Sequence, residues 1–247
     1  MPTVKHIIKI YFDYDRPDFV LPQQWVVDRF KLFSETTLQS ILGQTFRDFD
    51  LWIICGNRNE ELTRSFDWHP RCERIYDLGK AALEQIGADF VAITRMDSDD
   101  LMHRDAMREV ADNPVFYADR RRCTIFRKSL AWSVSNKFIG RHYREDTPFV
   151  TQFIPRCIYK DFDKFLKTSN VSHGRMGGRD PDTIELSENK ICVVKHAINI
   201  TTVIKGRDYT KALTDEQREK MKSKGQIVTD DPAEMLRLLE PFGVKEI

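Results

Sequence analysis

The chain has 247 residues, and its 39 Lys and Arg stand against 38 Asp and Glu for a formal net charge of +1. That length can bury a sizeable core as one α/β domain with a small appendage, and it argues against a second full domain. Near-neutral charge excludes global electrostatic selection of a nucleic acid or a membrane, so any such partner must be met by a local patch. The five cysteines (Cys55, Cys72, Cys123, Cys157, Cys192) are odd in number, widely spaced and never in a C-x-x-C pair. They speak against a zinc site or a disulfide framework and for a reducing compartment. No run approaches the roughly 20 apolar residues of a membrane span, and Met1 leads into Pro-Thr-Val-Lys-His without a signal-peptide pattern. A soluble, cytoplasmic protein is expected.

Ile7, Ile8, Ile10, Tyr11 and Phe12 predict a first strand that stops at the loop-forming Asp13-Tyr14-Asp15-Arg16-Pro17. Such a strand brings Asp13 or Asp15 to the carboxyl edge of a sheet. Residues 18–28 have no clear period. From about Arg29 a helix is expected, with Leu38, Ile41 and Leu42 at i, i+3, i+4 and Gly43 at its end. Residues 51–55 (LWIIC) form a second buried strand, 74–78 a weaker third and 79–87 a short helix. Alternation at this spacing implies parallel strands with right-handed crossovers, the nucleotide-binding half of an α/β domain.

The most informative stretch is ADFVAITRMDSDDL, residues 88–101. Phe90, Val91, Ala92 and Ile93 suit a strand buried on both faces, and the run then breaks into Asp97, Ser98, Asp99 and Asp100. Three carboxylates in four residues repel one another, and a hard cation such as Mg²⁺, Ca²⁺ or Mn²⁺ is the usual compensation. The plainer reading is an acidic turn that caps a helix starting near His103.

Beyond Leu101 the chain is less regular. A short helix is expected over 103–113, with short strands at 124–126 and 137–139. Eight Lys or Arg and no Asp or Glu lie between Arg120 and Arg144, either as a solvated face or as a surface for an anionic or nucleic-acid partner. Gly174, Gly177 and Gly178 predict a mobile loop ahead of Asp180, Asp182 and Glu185. As a plain structural residue, Asp182 would be the N-cap of a helix through Leu186. Ile191, Cys192, Val193 and Val194 form a strand that ends at Lys195-His196. The tail carries a capping box from Thr214 to Gln217 and a second helix opened by Asp231-Pro232, with Met235, Leu236, Leu238 and Leu239 as its apolar stripe.

The order of a strand, FSETTLQSILGQTFRDFDLWIICG and a strand ending in TRMDSDDL resembles the N-terminal half of the family 2 glycosyltransferases. Their signature is a Thr-Leu-x-Ser helix ahead of an Asp-x-Asp-Asp motif. The similarity covers residues 5–110 well, 185–205 less so, and Arg95 matches the rhamnosyltransferase-like subgroup. The resemblance implies a GT-A fold over 1–206, with a nucleotide-sugar-binding half (1–113), an acceptor half (114–206) and a helical appendage at 207–247. It further implies an inverting, metal-dependent transferase that moves a sugar from a nucleotide-diphosphate donor to an acceptor hydroxyl, on a glycan or another molecule. In that scheme Asp97 approaches the donor, together with Asp13, Asp15 and Arg95. Asp99 ligates Mn²⁺ or Mg²⁺ with His196 and Asp100, and Asp182 is the general base with Asp180 in reserve. Thr37 and Gln44 are either near the donor or plain surface residues. The family's Glu-Asp pair is not reproduced here, since DPDTIEL lacks the Glu. Two alternatives remain beside it: a Mg²⁺-dependent nucleotidyltransferase on a similar scaffold, and a non-catalytic nucleotide-sugar-binding protein.

Overall fold

A computed structural model describes residues 1–13, 21–116, 118–143, 149–169, 183–196 and 211–247. Strand β1 (Val4–Asp13) is the centre of a seven-stranded sheet. It pairs in parallel with β2 (Phe49–Cys55) on one side and β4 (Phe90–Asp97) on the other, and β2 pairs in parallel with β3 (Cys72–Ile75). Beyond β4 the sheet turns antiparallel through β9 (Val150–Pro155) and β6 (Arg122–Ile125), and β10 (Ile184–Glu185) closes that edge.

Both faces of the sheet are covered, which is why its central strands read as continuous apolar runs. Ile8, Ile10 and Phe12 face one side with Ala92 and Met96, packed against Trp25, Val26, Phe33, Leu38 and Ile41. Ile7 faces the other side with Trp52, Val91 and Ile93, packed against Leu83 of α4 (Lys80–Gln85) and Phe165 of α7 (Phe162–Ser169). The first-face helix runs from α1 (Gln23–Leu32) through a π-helical turn at Phe33–Thr37 into α2 (Leu38–Leu42). The helix thus starts at Gln23, ahead of the Arg29 at which one was expected. A π turn shifts the helical phase, so Trp25 and Val26 are buried out of step with Leu38 and Ile41.

A second, five-stranded sheet runs in the order β12, β8, β7, β11, β5. Its members are β5 (Leu101–Met102), β7 (Lys128–Ser133), β8 (Phe138–Tyr143), β11 (Ile191–Lys195) and β12 (Ile227–Thr229). Ser98, Asp99 and Asp100 are the whole connection between β4 in the first sheet and β5 in the second. The remaining short helices are α3 (Glu60–Ser65), α5 (Ala106–Asp112) and α6 (Arg156–Tyr159).

The tail holds α8 (Asp215–Ser223), with its reciprocal Thr214–Gln217 capping box, and α9 (Pro232–Leu239), capped by Asp231. It also contributes strand β12, which the sequence reading did not include. Met235, Leu239 and Phe242 pack on Leu101, Leu130 and Val194. Residues 184–185 are a strand, so no helix runs from Asp182 through Leu186. Strands β7 and β9 were also missed; β9 is buried at every position and therefore shows no alternation. Among the described residues no helix is long and apolar enough to cross a membrane.

Gly79 takes a left-handed φ of 94°, and a Cβ there would lie 2.6 Å from the Trp52 ring. Backbone strain and overpacking coincide at this position. Gly79→Ala is expected to destabilise the fold by about 1–3 kcal/mol, measured as a lower urea midpoint with an unchanged slope.

Candidate functional site

The carboxyl ends of β1 and β4 adjoin at the centre of the sheet. The strands run 3-2-1-4, so the chain leaves β1 toward β2 and β3 and returns to place β4 on β1's other side. This is a topological switch point, where the crossovers diverge and leave a crevice at the strand ends. Asp13 ends β1 and Asp97 ends β4, on either side of that crevice. Asp13 is buried and accepts a hydrogen bond from Asn59 Nδ2 at 2.9 Å, while Asp97 is partly exposed.

Directly after Asp97 the carboxylates turn inward, into a buried polar network. Arg29 of α1 donates through Nη2 to Asp99 Oδ1 at 2.7 Å and through Nε to Ser98 Oγ at 2.9 Å. His196 Nε2 lies 3.1 Å from Asp99 Oδ2. Asp100 Oδ1 accepts from the Val194 backbone N–H at 2.9 Å. All of Arg29, Ser98, Asp99, Asp100 and His196 are buried.

The two inner carboxylates titrate in opposite directions. Burial alone would raise Asp99, but the Arg29 charge and the His196 contact outweigh it and hold its carboxyl well below the usual range. Burial, then the charges of Asp99 and Asp97, push Asp100 well above the usual range despite its bond from Val194. The partners of Asp99 therefore favour its ionised form, while burial beside two other carboxylates disfavours that form in Asp100.

The sequence-predicted residues are therefore partly assembled. Asp99 and His196 meet, and Asp13 and Asp97 share the sheet edge. Among the described residues no group of three or more His, Cys, Asp or Glu side chains is placed to hold a metal. Asp15, Asp180 and Asp182 lie outside the described residues. Thr37 and Gln44 are fully buried rather than exposed on the surface. Gln44 donates to the carbonyls of Ser40 and His103 and accepts from the Met107 N–H, tying the end of α2 to the start of α5. The basic segment is dispersed: Arg122 is buried, Arg121 donates to the Thr168 carbonyl, and Arg127 and Lys128 pair with Glu185 and Glu188. A cleft of about 560 Å³ runs between α4 and strands β2 and β3, lined by Trp52, Glu73 and Ala82 among others and by none of the carboxylates above.

Sequence reasoning missed Lys9. It is the register partner of Arg95 across β1 and β4, so both side chains rise from the same face. Lys9 is 2% exposed, its Nζ has no hydrogen-bond partner, and it lies 5.1 Å from the Tyr11 ring centroid and 5.6 Å from that of Phe165. Burial and then the Arg95 charge push its amine down to about 8. The available signal was a lone Lys in an Ile-Ile-x-Ile-Tyr strand, a position that a two-sided buried strand gives to an apolar residue.

The class that fold and site define is a mixed α/β protein with a parallel-rich, Rossmann-like sheet and a carboxylate-flanked switch point. No protein-family model matches the chain, and no curated protein is similar to it. Several solved structures are similar to it in part, two of which follow. The bifunctional IspDF from Campylobacter jejuni aligns at a TM-score of 0.36 and 12% identity, over 76% of this chain and 51% of that one. Rv0371c from Mycobacterium tuberculosis H37Rv aligns at 0.32 and 14%, over 78% and 89%. The chain thus spans about half the length of IspDF. Neither structure is described as a glycosyltransferase. With no family match beside them, the expected assignment to the family 2 glycosyltransferases, and the sugar-transfer activity it implied, are corrected. The resemblance misled because a strand, a helix and a strand ending in Asp-x-Asp satisfy the general needs of an α/β sheet edge.

Two stability predictions follow from the buried charges. Arg29→Met leaves the buried Asp99 without its guanidinium partner, and should cost about 3–5 kcal/mol at pH 7. Asp99 is depressed in the folded state, so the stability it contributes is present above its unfolded value and is lost as pH falls toward its folded value. Denaturation curves should therefore show the gap between wild type and variant narrowing below about pH 4. Lys9 has the opposite sign. Between about 8 and its ordinary value the unfolded chain binds a proton that the folded chain has released, so stability rises with pH across that window. Lys9→Met should remove that rise and stabilise the protein at pH 7, by an amount on the order of 3 kcal/mol.

Proposed function

We propose that the switch-point crevice binds a nucleoside triphosphate with Mg²⁺ and that the protein is a Mg²⁺-dependent nucleotidyltransferase. The observation that carries this reading is the placement of Asp13 and Asp97 on the two strands that flank the crevice, with Asp97 partly exposed. Ligands of open α/β sheets enter at this point.

The donor set fits one metal better than another. Both oxygens of Asp99 face cationic or imidazole partners, and Asp100 accepts from the Val194 backbone, so these residues suit a structural network more than a resident Mn²⁺. Mg²⁺ in nucleotide sites keeps several waters and takes only one or two protein carboxylates, the rest of its shell coming from phosphate oxygens. Asp97, with Asp13 beside it, meets that need. A bound Mg²⁺ would neutralise charge on the departing pyrophosphate.

The chain's own residues then have separate tasks. Asp97 orients the metal–nucleotide complex, and Arg95 faces its phosphates. The Arg29–Asp99–His196 network fixes the turn on which Asp97 depends. In the transfer an acceptor oxygen attacks the α-phosphorus, the bond to the bridging oxygen breaks, and pyrophosphate leaves. The acceptor is a hydroxyl- or phosphate-bearing molecule.

Thermal melting against the four nucleoside triphosphates, with and without Mg²⁺, tests this reading. At a hundredfold excess over Kd the metal complex should raise Tm by roughly 5 °C or more. Asp97→Asn should abolish the shift while the unliganded Tm stays within about 2 °C, since a partly exposed residue is replaced. Equal stabilisation with and without Mg²⁺, or a full shift in the variant, would remove the basis for the assignment.

A further inference from the structure

Lys9 and Arg95 are two cations side by side on one face of the central strands, and the nucleotide reading uses only the second. They stand in register. The Tyr11 ring lies against both, 5.1 Å from Lys9 Nζ and 4.9 Å from Arg95 Cζ at its centroid. Lys9 Nζ and Arg95 Nε are buried without a hydrogen-bond partner, and among the described residues neither side chain forms an ion pair. A buried ammonium ordinarily requires an anionic partner, because the penalty for removing an ion from water is several kcal/mol. The π faces of Tyr11 and Phe165 offset only part of that cost. A pair of like charges offset only by aromatic rings, Tyr11 against both and Phe165 against Lys9, has the chemistry of an anion receptor without its anion.

We infer that Lys9 and Arg95 form a receptor for a phosphate group, one step deeper in the sheet than the carboxylate edge. The oxygens of a phosphate match the donors of the two side chains: Lys supplies an ammonium with three protons, and Arg a planar fork that grips two oxygens. Tyr11 shields the pair and has to turn aside for the anion to enter. The spacing also suits the crevice. Asp97 follows Arg95 by two residues, about 6.6 Å along a strand, which leaves room for a cation between the carboxylate and the phosphate. The phosphate is either the pyrophosphate end of a nucleotide or a phosphomonoester on the acceptor. Only that choice of source rests on the nucleotidyltransferase reading; the receptor stands on Lys9, Arg95 and Tyr11.

Calorimetric titration of the full chain in EDTA, with inorganic phosphate and with pyrophosphate, tests the receptor. Wild type should bind at least one of them. Lys9→Met and Arg95→Met should each weaken binding tenfold or more, and Lys9→Arg should retain it. Lys9→Met is expected to fold, because it replaces a buried charge by an isosteric apolar chain. Asp97→Asn should leave this metal-free binding intact or tighten it, although it abolishes the Mg²⁺-dependent nucleotide shift. Competition identifies the source: a nucleoside triphosphate that displaces pyrophosphate marks the leaving-group end, whereas glycerol phosphate binding alongside the triphosphate marks the acceptor. No heat from phosphate or pyrophosphate up to about 10 mM, an affinity range of roughly 3 kcal/mol or less, would overturn the receptor. So would wild-type binding by Lys9→Met. Phosphate binding without any nucleotide response would retain the receptor and discard the transferase.

Discussion

The organisation of the molecule depends on how one short turn disposes of its negative charge. Three carboxylates in four residues would resist burial if all were ionised and unpaired. The turn divides them. Asp97 stays at the partly exposed strand end, Asp99 is clamped between Arg29 and His196, and Asp100, its carboxyl pushed up by burial and by the charges of Asp99 and Asp97, accepts from the Val194 backbone. Each solution draws in a different part of the chain: the first helix, the strand end at His196, and the backbone of the second sheet. The same interactions that tolerate the charge therefore dock the two sheets and α1 together. A buried ion pair is weak evidence of stability by itself, but its geometry is specific, and breaking it is costly.

Charge disposal also separates the carboxylate held by charged protein partners from those at the strand ends. The aspartate that appears best suited to a metal by its place in the motif, Asp99, is the one most committed to protein partners. Asp97 and Asp13 end the two central strands, Asp13 buried and bonded to Asn59. The opposite charges, Lys9 and Arg95, lie beneath that edge on the same strands. The central pair of strands thus presents acidic ends above a basic floor, an arrangement suited to a ligand that carries both a cation and an anion.

Much of the sheet was legible because a strand covered on both faces has to be apolar throughout. β1, β2 and β4 declared themselves in that way, and Gly43, Thr214 and Asp231-Pro232 marked helix ends through cap chemistry that depends on a few local atoms. What stayed hidden was non-local or out of phase. The π turn put the apolar positions before Phe33 out of phase with those after Thr37. β9 carried no alternation, and two-residue strands such as β5 and β10 are too short for any period. At the site, sequence placed Asp97, Asp99, Asp100 and His196 near one another, but could not tell a ligand from a salt-bridge partner. Arg29 was legible only as the start of an expected helix, and it decides the state of Asp99. Gln44, legible only as a helix-end polar residue, is an internal brace.

The three-residue passage from β4 to β5 has a further consequence. Asp97 closes a strand of the first sheet, and Leu101 opens one in the second, fully buried against Leu130, Met235 and Phe242. Strand side chains alternate, so a one-residue change in this passage would invert which side of each sheet its neighbours occupy. Either Leu101 would leave the second core, or Asp97 would swing off the crevice. Chain length at this point is therefore as constrained as composition. Homologous proteins that share the architecture should vary freely in their surface connections while keeping this count of three, and grafts of the site onto other sheets would have to carry the receiving strand along with the acidic turn.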